Sequence, residues 1–197
     1  QVQYSTIIEE YNAFRTAAGL FDIAHMVRLY FRSPDAAALL DHIVTNDVAG
    51  MEVGQVRYAL VTNEAGGILD DVLVYRFPDF HMLVVNASNR EKIVDWIAQN
   101  QAGFDVEVED ATFDQFMLAI QGPRGLGILA PHVDVDLASM GYYTATHATI
   151  KGTAGIVSRT GYTGEDGFEV IVPVDAAVDL WTTLIDDGAG QGLLPAG

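Results

Sequence analysis

Two adjacent aspartates, Asp70 and Asp71, lie in a segment (residues 68–75) that is otherwise strongly apolar. Successive residues of a β-strand point to opposite faces, so each carboxylate has large apolar neighbours and one of them is expected to be partly buried. A buried carboxylate needs hydrogen-bond partners or a positive charge, and such groups are enriched at functional sites. A pair of surface aspartates after a glycine turn explains the same residues equally well, so both interpretations stay open.

A second segment that could carry chemistry is glycine-rich and spans residues 160–167, with Tyr162 and Glu165 between its three glycines. Glycines allow a backbone to approach a ligand closely. A carboxylate such as that of Glu165 can accept two parallel hydrogen bonds from the edge of an amidine-like ring, for example guanine or a pterin. An ordinary glycine-rich hairpin is the simpler interpretation of this composition. No Gly-Lys-Ser/Thr follows, which excludes a P-loop.

Other polar residues give weaker indications. His25 lies near Asp22, but no nucleophile completes a triad, and a structural histidine is the preferred interpretation. The five histidines show no metal-ligand spacing, so no metal site is predicted: His25, His42, His81, His132 and His147. Asn86 follows a predicted strand and could hold a ligand, although capping the next helix is its default role.

Charge and composition exclude several classes of function. The chain has 27 acidic and ten basic residues, a net charge of −17, which disfavours nucleic acids and anionic membranes as partners. The absence of cysteine excludes disulfides and thiolate chemistry within the chain. No apolar run approaches the roughly 20 residues that a membrane helix needs. We therefore expect a globular protein of the cytoplasm or, in a eukaryote, of the mitochondrial matrix.

The elements that must position these residues are predicted from hydrophobic periodicity. Apolar residues at helical spacing predict a first helix over 7–18, whose apolar face is expected to join the core. Further helices are predicted over 36–43, 88–97 and 175–185, with a short one from 123 to 129. Strands are predicted over 27–32, 56–62, 68–76, 80–85, 106–108, 116–120, 142–150, 155–158 and 168–172. Strands in hairpins with segregated helices indicate the α+β class.

Local signals predict how several elements begin and end. Residues 63–67 contain two glycines suited to a hairpin turn with positive φ. Ser33 with Pro34, Ser88 with Glu91, and Asp175 are each predicted to cap the helix that follows. The final residues, 195–197, resemble a turn without a closing element.

The order and spacing of these segments resemble the glycine cleavage T-protein family over essentially the whole chain. The matching motifs are GLFDIAHM at 19–26, GQVRY at 54–58, NEAGGILDD at 63–71, VVNASNREK at 84–92, QGP at 121–123, TGYTGE at 160–165 and PAG at 195–197. Each motif alone is weak, whereas all of them in the family's order identify the superfamily. Ala24 departs from the family's usual serine before the histidine.

The resemblance implies an aminomethyltransferase that moves a one-carbon unit from the aminomethyl-dihydrolipoyl arm of the H-protein to tetrahydrofolate and releases ammonia. Tetrahydrofolate is the acceptor substrate, and no metal is implied. By resemblance, Asp70 is the catalytic aspartate and Glu165 binds the pterin. Tyr58, Asn86 and Tyr162 match further positions of the folate pocket.

The resemblance also implies a fold: α+β, with antiparallel sheets, flanking helices and a ferredoxin-like part. Residues 1–197 are expected to form the folate-binding region, as one domain or as two intertwined subdomains. The family's leading segment, its Gly-Ala-Arg-Asp motif and its C-terminal barrel domain lie outside this sequence, and the chain alone is expected to lack part of the active enzyme. Alternatives are another folate-dependent demethylase of the superfamily or a non-catalytic folate-binding module. An iron–sulfur assembly factor is disfavoured because its hallmark cysteine is missing.

Overall fold

The computed structural model describes residues 3–197, which form two compact units. Unit 1 contains the chain up to Ala24 together with Asp114–Gly197, and unit 2 contains His25–Phe113. The chain therefore begins unit 1, builds the whole of unit 2, and then returns to complete unit 1. None of the helices within residues 3–197 is long and apolar enough to cross a membrane.

Five α-helices and eleven strands make up the described chain. The helices are α1 (Ile7–Thr16), α2 (Ala36–Ile43), α3 (Arg90–Asn100), α4 (Gly125–Leu129) and α5 (Ala177–Ala189). The strands are β1 (Ala18–Asp22), β2 (Val27–Arg32), β3 (Val56–Thr62), β4 (Ile68–Arg76), β5 (His81–Val85), β6 (Glu107–Asp110), β7 (Gln115–Gln121), β8 (Ala145–Ile150), β9 (Thr153–Ser158), β10 (Gly167–Pro173) and β11 (Leu193–Ala196). The α+β class is confirmed.

Unit 2 contains a five-stranded antiparallel sheet in the order β3-β4-β5-β2-β6. Alternate residues of the strands supply one apolar face, against which α2 and α3 pack. The buried side chains of this core include Leu29, Phe31, Leu39, Leu40, Val61, Val72, Val74, Leu83, Ile93 and Ile97. Burial of this face is the main source of stability for the unit, because removing apolar surface from water is the dominant favourable contribution to folding.

Arg28 joins the two ends of unit 2. Its side chain is fully buried, and its guanidinium donates hydrogen bonds to the backbone carbonyls of Met26 and Thr112. Burial lowers the pKa of Arg28, and the carbonyl oxygens provide acceptors for a cation that would otherwise be costly to bury. The residues at which the chain enters and leaves the unit are thus held by one side chain.

Unit 1 contains a six-stranded sheet in the order β11-β1-β7-β10-β9-β8. The β1–β11 pair is parallel, and the other pairs are antiparallel. Its core includes Leu20, Leu118, Ile120, Val157, Phe168, Val170, Leu180 and Leu184. Periodicity did not predict β1 or β11, and the residues interpreted as a terminal turn, Pro195 and Ala196, belong to β11. Strand β11 is a short edge strand, and it pairs in parallel with β1, which lies near the other end of the chain. Such a long-range pairing produces little hydrophobic periodicity in the local sequence.

The predicted hairpin of unit 2 is confirmed. Strands β3 and β4 have the predicted bounds and flank a loop in which Gly66 has a φ of +79° and Asn63 accepts hydrogen bonds from two backbone amides. The predicted bounds of β2 and α2 are also correct. Clear alternation and a strong turn signal make such elements readable from local sequence.

The predicted burial of the first helix is wrong. Ile7 is 75% exposed and Ile8 and Tyr11 are also exposed, whereas Glu10 and Ala13 are buried. The Glu10 carboxylate accepts hydrogen bonds from the backbone N–H groups of Ser5, Gly197 and Tyr4, which lower its pKa. A polar interaction, which the periodicity of apolar residues cannot reveal, therefore decides which face of α1 packs inward.

Two predicted helix caps are wrong as well. Helix α2 has Asp35 at its N-cap, after Ser33 and Pro34, and helix α5 follows a 3-10 turn at Val174–Ala176 instead of a cap at Asp175. In both cases the N-cap side chain makes no capping hydrogen bond. Packing of the helices onto their sheets, which outweighs a weak capping preference, fixes where they begin.

Gly122 gives a prediction about the stability of unit 1. Its φ is +128°, and a Cβ there would lie 2.5 Å from the carbonyl oxygen of Phe14 and 2.6 Å from that of Ala17. We expect Gly122→Ala to lower the free energy of unfolding by more than about 2 kcal/mol, because backbone atoms cannot move aside easily. Urea denaturation measures the change.

Gly127→Ala is the matched control. Gly127 lies in α4, and a Cβ there meets no atom within 4 Å. Alanine is expected to leave stability unchanged or to raise it by up to about 1 kcal/mol, since it restricts the unfolded chain. Equal losses for the two variants would contradict the steric explanation.

Candidate functional site

Strand β4 buries one of the two adjacent aspartates, as the alternation predicts. Asp70 is 3% exposed, while Asp71 is exposed on the opposite face. Asp70 pairs across the sheet with Val61, next to a register shift between Val61 and Thr62. Val72, two residues on, belongs to the core that α2 and α3 cover, so Asp70 lies at the end of the helix-covered face.

The Asp70 carboxylate is held by neutral donors. Its Oδ2 accepts a hydrogen bond from the backbone N–H of Asn86 at 3.0 Å, and its Oδ1 accepts one from Asn86 Nδ2, also at 3.0 Å. Asn89 Nδ2 donates a further hydrogen bond to Oδ1. Three N–H donors replace the water that the carboxylate loses on burial, which allows it to stay inside the fold.

Asn86 and Asn89 come from the connection between β5 and α3. Asn86 follows β5, residues Ala87–Asn89 form a 3-10 turn, and Asn89 is the N-cap of α3. Neither asparagine side chain makes a capping hydrogen bond, so the predicted capping role of Asn86 is wrong. The predicted capping box is also wrong, because Ser88 lies within the 3-10 turn. In addition to Asp70, the Asn86 side-chain amide contacts Asp71. Its Nδ2 donates to the backbone carbonyl oxygen of Asp71 at 3.0 Å and to Asp71 Oδ1 at 2.9 Å.

Tyr58 lies apart from this cluster. It is on β3, about half exposed, and pairs with Leu73 of β4. Directly paired residues of an antiparallel ladder share a face, so Tyr58 and Leu73 lie on the face opposite Asp70. Within unit 2, the structure brings together Asp70 and Asn86 from the predicted site residues, and it adds Asn89.

Glu165 and Tyr162 belong to the glycine-rich loop of unit 1. The Tyr162 side chain is 84% exposed. Glu165 Oε1 lies 2.5 Å from Arg15 Nη1 of α1, in an ion pair that is partly open to solvent. The loop turns at Gly161 and Gly164, whose φ angles are +152° and +79°. Glu165 therefore has a protein partner already, which a ligand would have to share or replace.

An arginine–aspartate pair braces the same loop. Arg159 Nε and Nη2 donate to the two carboxylate oxygens of Asp166 at 2.9 and 2.7 Å. Arg159 holds the pKa of Asp166 below its usual range. The two residues flank residues 160–165, so their bidentate contact closes the base of the loop.

The carboxylate of Glu169 was missed by sequence reasoning. Glu169 is 5% exposed on β10, where it pairs with Ala119 and Ser158 and accepts a hydrogen bond from Thr160 Oγ1. The signal was present, since Glu169 interrupts an apolar strand as Asp70 does. Asp70 is next to a second aspartate and follows a glycine turn, whereas Glu169 is the one acidic residue of strand β10.

Glu169 lines a small cavity within unit 1. The cavity has a volume of about 50 Å³ and is bounded by Phe21, Ile23, Ala119, Gln121, Gly161, Tyr162, Thr163 and Glu169. Gln121, which lines the cavity, is hydrogen-bonded to the glycine-rich loop. Its Nε2 donates to the Thr160 carbonyl at 3.0 Å, and its Oε1 accepts from Thr163 Oγ1 at 2.9 Å. Such a cavity can admit the edge of one ring, with an acidic acceptor at hand. Within residues 3–197 no group of three histidine or acidic side chains is arranged to hold a metal ion.

Solved structures with the same fold identify the architecture. The aminomethyltransferase T of the glycine cleavage system from Bartonella henselae superposes with a TM-score of 0.89 at 30% identity, over 100% of this chain and 52% of that chain. A heterotetrameric sarcosine oxidase from Corynebacterium sp. U-96 superposes with a TM-score of 0.69 at 17% identity, over 94% of this chain and 92% of that chain. The second likeness concerns the fold alone. Together they define an α+β fold built from two sheets.

Sequence comparison gives the family. The model of the GCVT N-terminal domain matches residues 1–197, and the chain belongs to this family. An aminomethyltransferase of Moorella thermoacetica is 46% identical over all of this chain and 54% of its own length. One of Streptomyces coelicolor is 42% identical over all of this chain and 53% of its own length. The chain thus spans about half the length of these relatives.

The Arg159–Asp166 pair predicts a pH dependence. Because the pKa of Asp166 is lowered in the folded state, its contribution to stability is present above the unfolded value of about 3.9 and is lost as pH falls through the folded value. We expect Asp166→Asn to reduce the free energy of unfolding at pH 7 by up to about 1 kcal/mol, since the pair is partly exposed.

Below the folded-state pKa of Asp166, the wild type and Asp166→Asn should have similar free energies of unfolding. As pH falls through the lowered folded-state pKa of Asp166, the wild-type carboxyl becomes protonated, so the urea midpoints of the two proteins should converge. Asp186→Asn, at an exposed position of α5, serves as the charge-matched control. A difference that persists unchanged at low pH would show that Asp166 stabilises the loop by something other than its charge.

Proposed function

We propose that this chain is the folate-binding portion of a glycine cleavage T-protein, an aminomethyltransferase. The observation that carries the proposal is the Asp70 carboxylate, which is buried among neutral donors at the position of the family's catalytic aspartate. The aminomethyltransferases that match over the whole chain support it. The proposed reaction transfers a one-carbon unit from the aminomethyl-dihydrolipoyl arm of the H-protein to tetrahydrofolate and releases ammonia.

Asp70 has the properties that this transfer requires. Its carboxylate already accepts three hydrogen bonds inside the fold, so it needs little reorganisation when a folate nitrogen approaches as a hydrogen-bond donor. The three hydrogen-bond donors that contact the Asp70 carboxylate are uncharged, so they do not neutralise it. The negative charge of the carboxylate can therefore stabilise the positive charge that develops as the one-carbon unit leaves the nitrogen or sulfur of the donor. A carboxylate in this setting acts mainly by preorganised electrostatics, with proton transfer as a second contribution.

The pterin ring of tetrahydrofolate is proposed to be recognised by side chains of and near the glycine-rich loop. Glu165 is the acceptor suggested by family resemblance, and Tyr162 provides an exposed ring on the same loop. Glu169 is a second acceptor, favoured by its burial and by the cavity that it lines. In unit 2, Asn86 acts through Asp70, and Tyr58 is proposed to contact the ligand from its strand. Tetrahydrofolate is a substrate in this scheme, and the lipoylated H-protein is the partner.

Substitution of the two glutamates tests the pterin site. Tetrahydrofolate titrated into this chain is expected to bind about tenfold more weakly to Glu165→Gln and to Glu169→Gln, because each loses a charged acceptor for ring N–H donors. Isothermal titration or fluorescence gives the dissociation constants, with Asp186→Asn as control. If only Glu169→Gln weakens binding, the assignment of Glu165 is wrong and the cavity holds the ring edge.

Substitution of Asp70 tests the chemical role. In the complete gene product, Asp70→Asn should still bind tetrahydrofolate but transfer the aminomethyl group about 10²–10³-fold more slowly, because an amide cannot stabilise developing positive charge. Single-turnover rates with aminomethylated H-protein measure this, and Asp71→Asn is the matched control with a much smaller expected effect. Unchanged turnover of Asp70→Asn would remove Asp70 from catalysis.

The donor is decided by the same assay. Transfer from aminomethylated H-protein, but not from methylated amines, supports the T-protein reaction. Transfer from a methylated amine would identify another folate-dependent demethylase. Tetrahydrofolate binding without transfer from any donor by the complete gene product would indicate a non-catalytic folate-binding module.

A further inference from the structure

We propose that Asn89 is a positioning residue for Asp70, whose carboxylate it fixes through its side-chain amide. The inference rests on the proposed function, because it assigns Asn89 a role in preparing the carboxylate for folate. Neither the family's motifs nor the apolar pattern of the sequence singles out Asn89 from its neighbours.

Asn89 occupies a helix N-cap position, but its side chain does not cap the helix. Asparagine at a helix N-cap usually accepts a hydrogen bond from a backbone N–H of the first turn, which contributes about 1 kcal/mol to the helix. Asn89 is the N-cap residue of α3, yet its side chain makes no capping hydrogen bond. Its Nδ2 donates to Asp70 Oδ1 instead. The stabilising local interaction is replaced by a contact with a carboxylate 19 residues earlier.

The contacts with Asp70 define the orientation of its carboxylate. Oδ1 receives the side-chain amides of Asn86 and Asn89, and Oδ2 receives the backbone N–H of Asn86. With Asn86 alone, both donors come from one residue. Asn89 adds a donor from the start of a helix, which restricts rotation about the Cβ–Cγ bond. Oδ2, with one donor among these contacts, is the oxygen that we assign to the folate N–H.

The choice of an amide over a cation preserves the charge of the carboxylate. Arg90 follows Asn89 directly, but its guanidinium lies 2.6 Å from Asp110 Oδ2 and stacks over the ring of Phe113 at 5.1 Å. The neighbouring cation is thus engaged by Asp110, and Asp70 is left to neutral donors. Asn89 orients the carboxylate without neutralising it, as a group that must stabilise positive charge requires.

A double-mutant cycle on this chain tests the contact. Asn89→Ala should raise the unfolding equilibrium constant about tenfold in the wild type and by less than about twofold in Asp70→Ala, because the carboxylate that it serves is then absent. Additive effects would overturn the proposal. Ser88→Ala, on the exposed face of the same turn, is the control.

Asn89→Ser separates positioning from capping. Serine is an N-cap residue as good as asparagine, but it lacks an amide that reaches Asp70. If Asn89 positions the carboxylate, Asn89→Ser behaves like Asn89→Ala. Recovery of stability in Asn89→Ser would identify an ordinary cap and overturn the proposal. The side-chain ¹⁵N–¹H resonances of Asn89 supply a direct signature, since they should move in Asp70→Ala and stay in place in Ser88→Ala.

Folate binding provides the functional measurement. Asn89→Ala should raise the dissociation constant of tetrahydrofolate by about three- to tenfold, and this effect should vanish in the Asp70→Ala background. A weakening of binding that is equally large without Asp70 would overturn the positioning role. If the wild-type chain binds no tetrahydrofolate, the proposed function fails, and the stability cycle and the resonances still decide whether Asn89 holds Asp70.

Discussion

The burial of the Asp70 carboxylate is the constraint on which the arrangement of unit 2 depends. An ionised group at the edge of an apolar core is stable only when hydrogen-bond donors replace its water. Those donors come from Asn86 and Asn89, so the end of β5 and the start of α3 must both meet β4 at this point. The helix gives up its own side-chain cap in the process. The need of the Asp70 carboxylate for hydrogen-bond donors thus decides the orientation of the Asn89 side chain, which N-cap preference alone would direct to the backbone of the helix.

Unit 1 meets a similar requirement with hydroxyl groups. Glu169 is buried in β10, Thr160 donates to it, and Thr160 shares a hydrogen bond with Ser158 at 2.8 Å. Thr160 also begins the glycine-rich loop, which Arg159 and Asp166 close. The loop is therefore tied to a buried carboxylate at its base, while its tip at Tyr162 stays exposed. Each unit contains an acidic side chain that the apolar core alone would not tolerate.

These two carboxylates connect the fold to the proposed chemistry. A one-carbon transfer to a folate requires acceptors for the nitrogens of the pterin and a negative charge near the reacting nitrogen. The chain has a candidate for each, and its relatives over the same residues are aminomethyltransferases. The chain spans about half the length of those relatives.

The sequence by itself determined the features that depend on neighbours along the chain. Alternation and the turn at Gly66 predicted the bounds of β3 and β4. The apolar strand indicated that one of the two adjacent aspartates would be partly buried, and the family resemblance selected Asp70. Only the tertiary structure decided what depends on distant partners: the parallel pairing of β11 with β1, the inward face of α1, and the roles of Asn89 and Glu169. Periodicity reports which residues share a face, but the donors that satisfy a buried charge are chosen by the packing of the whole fold.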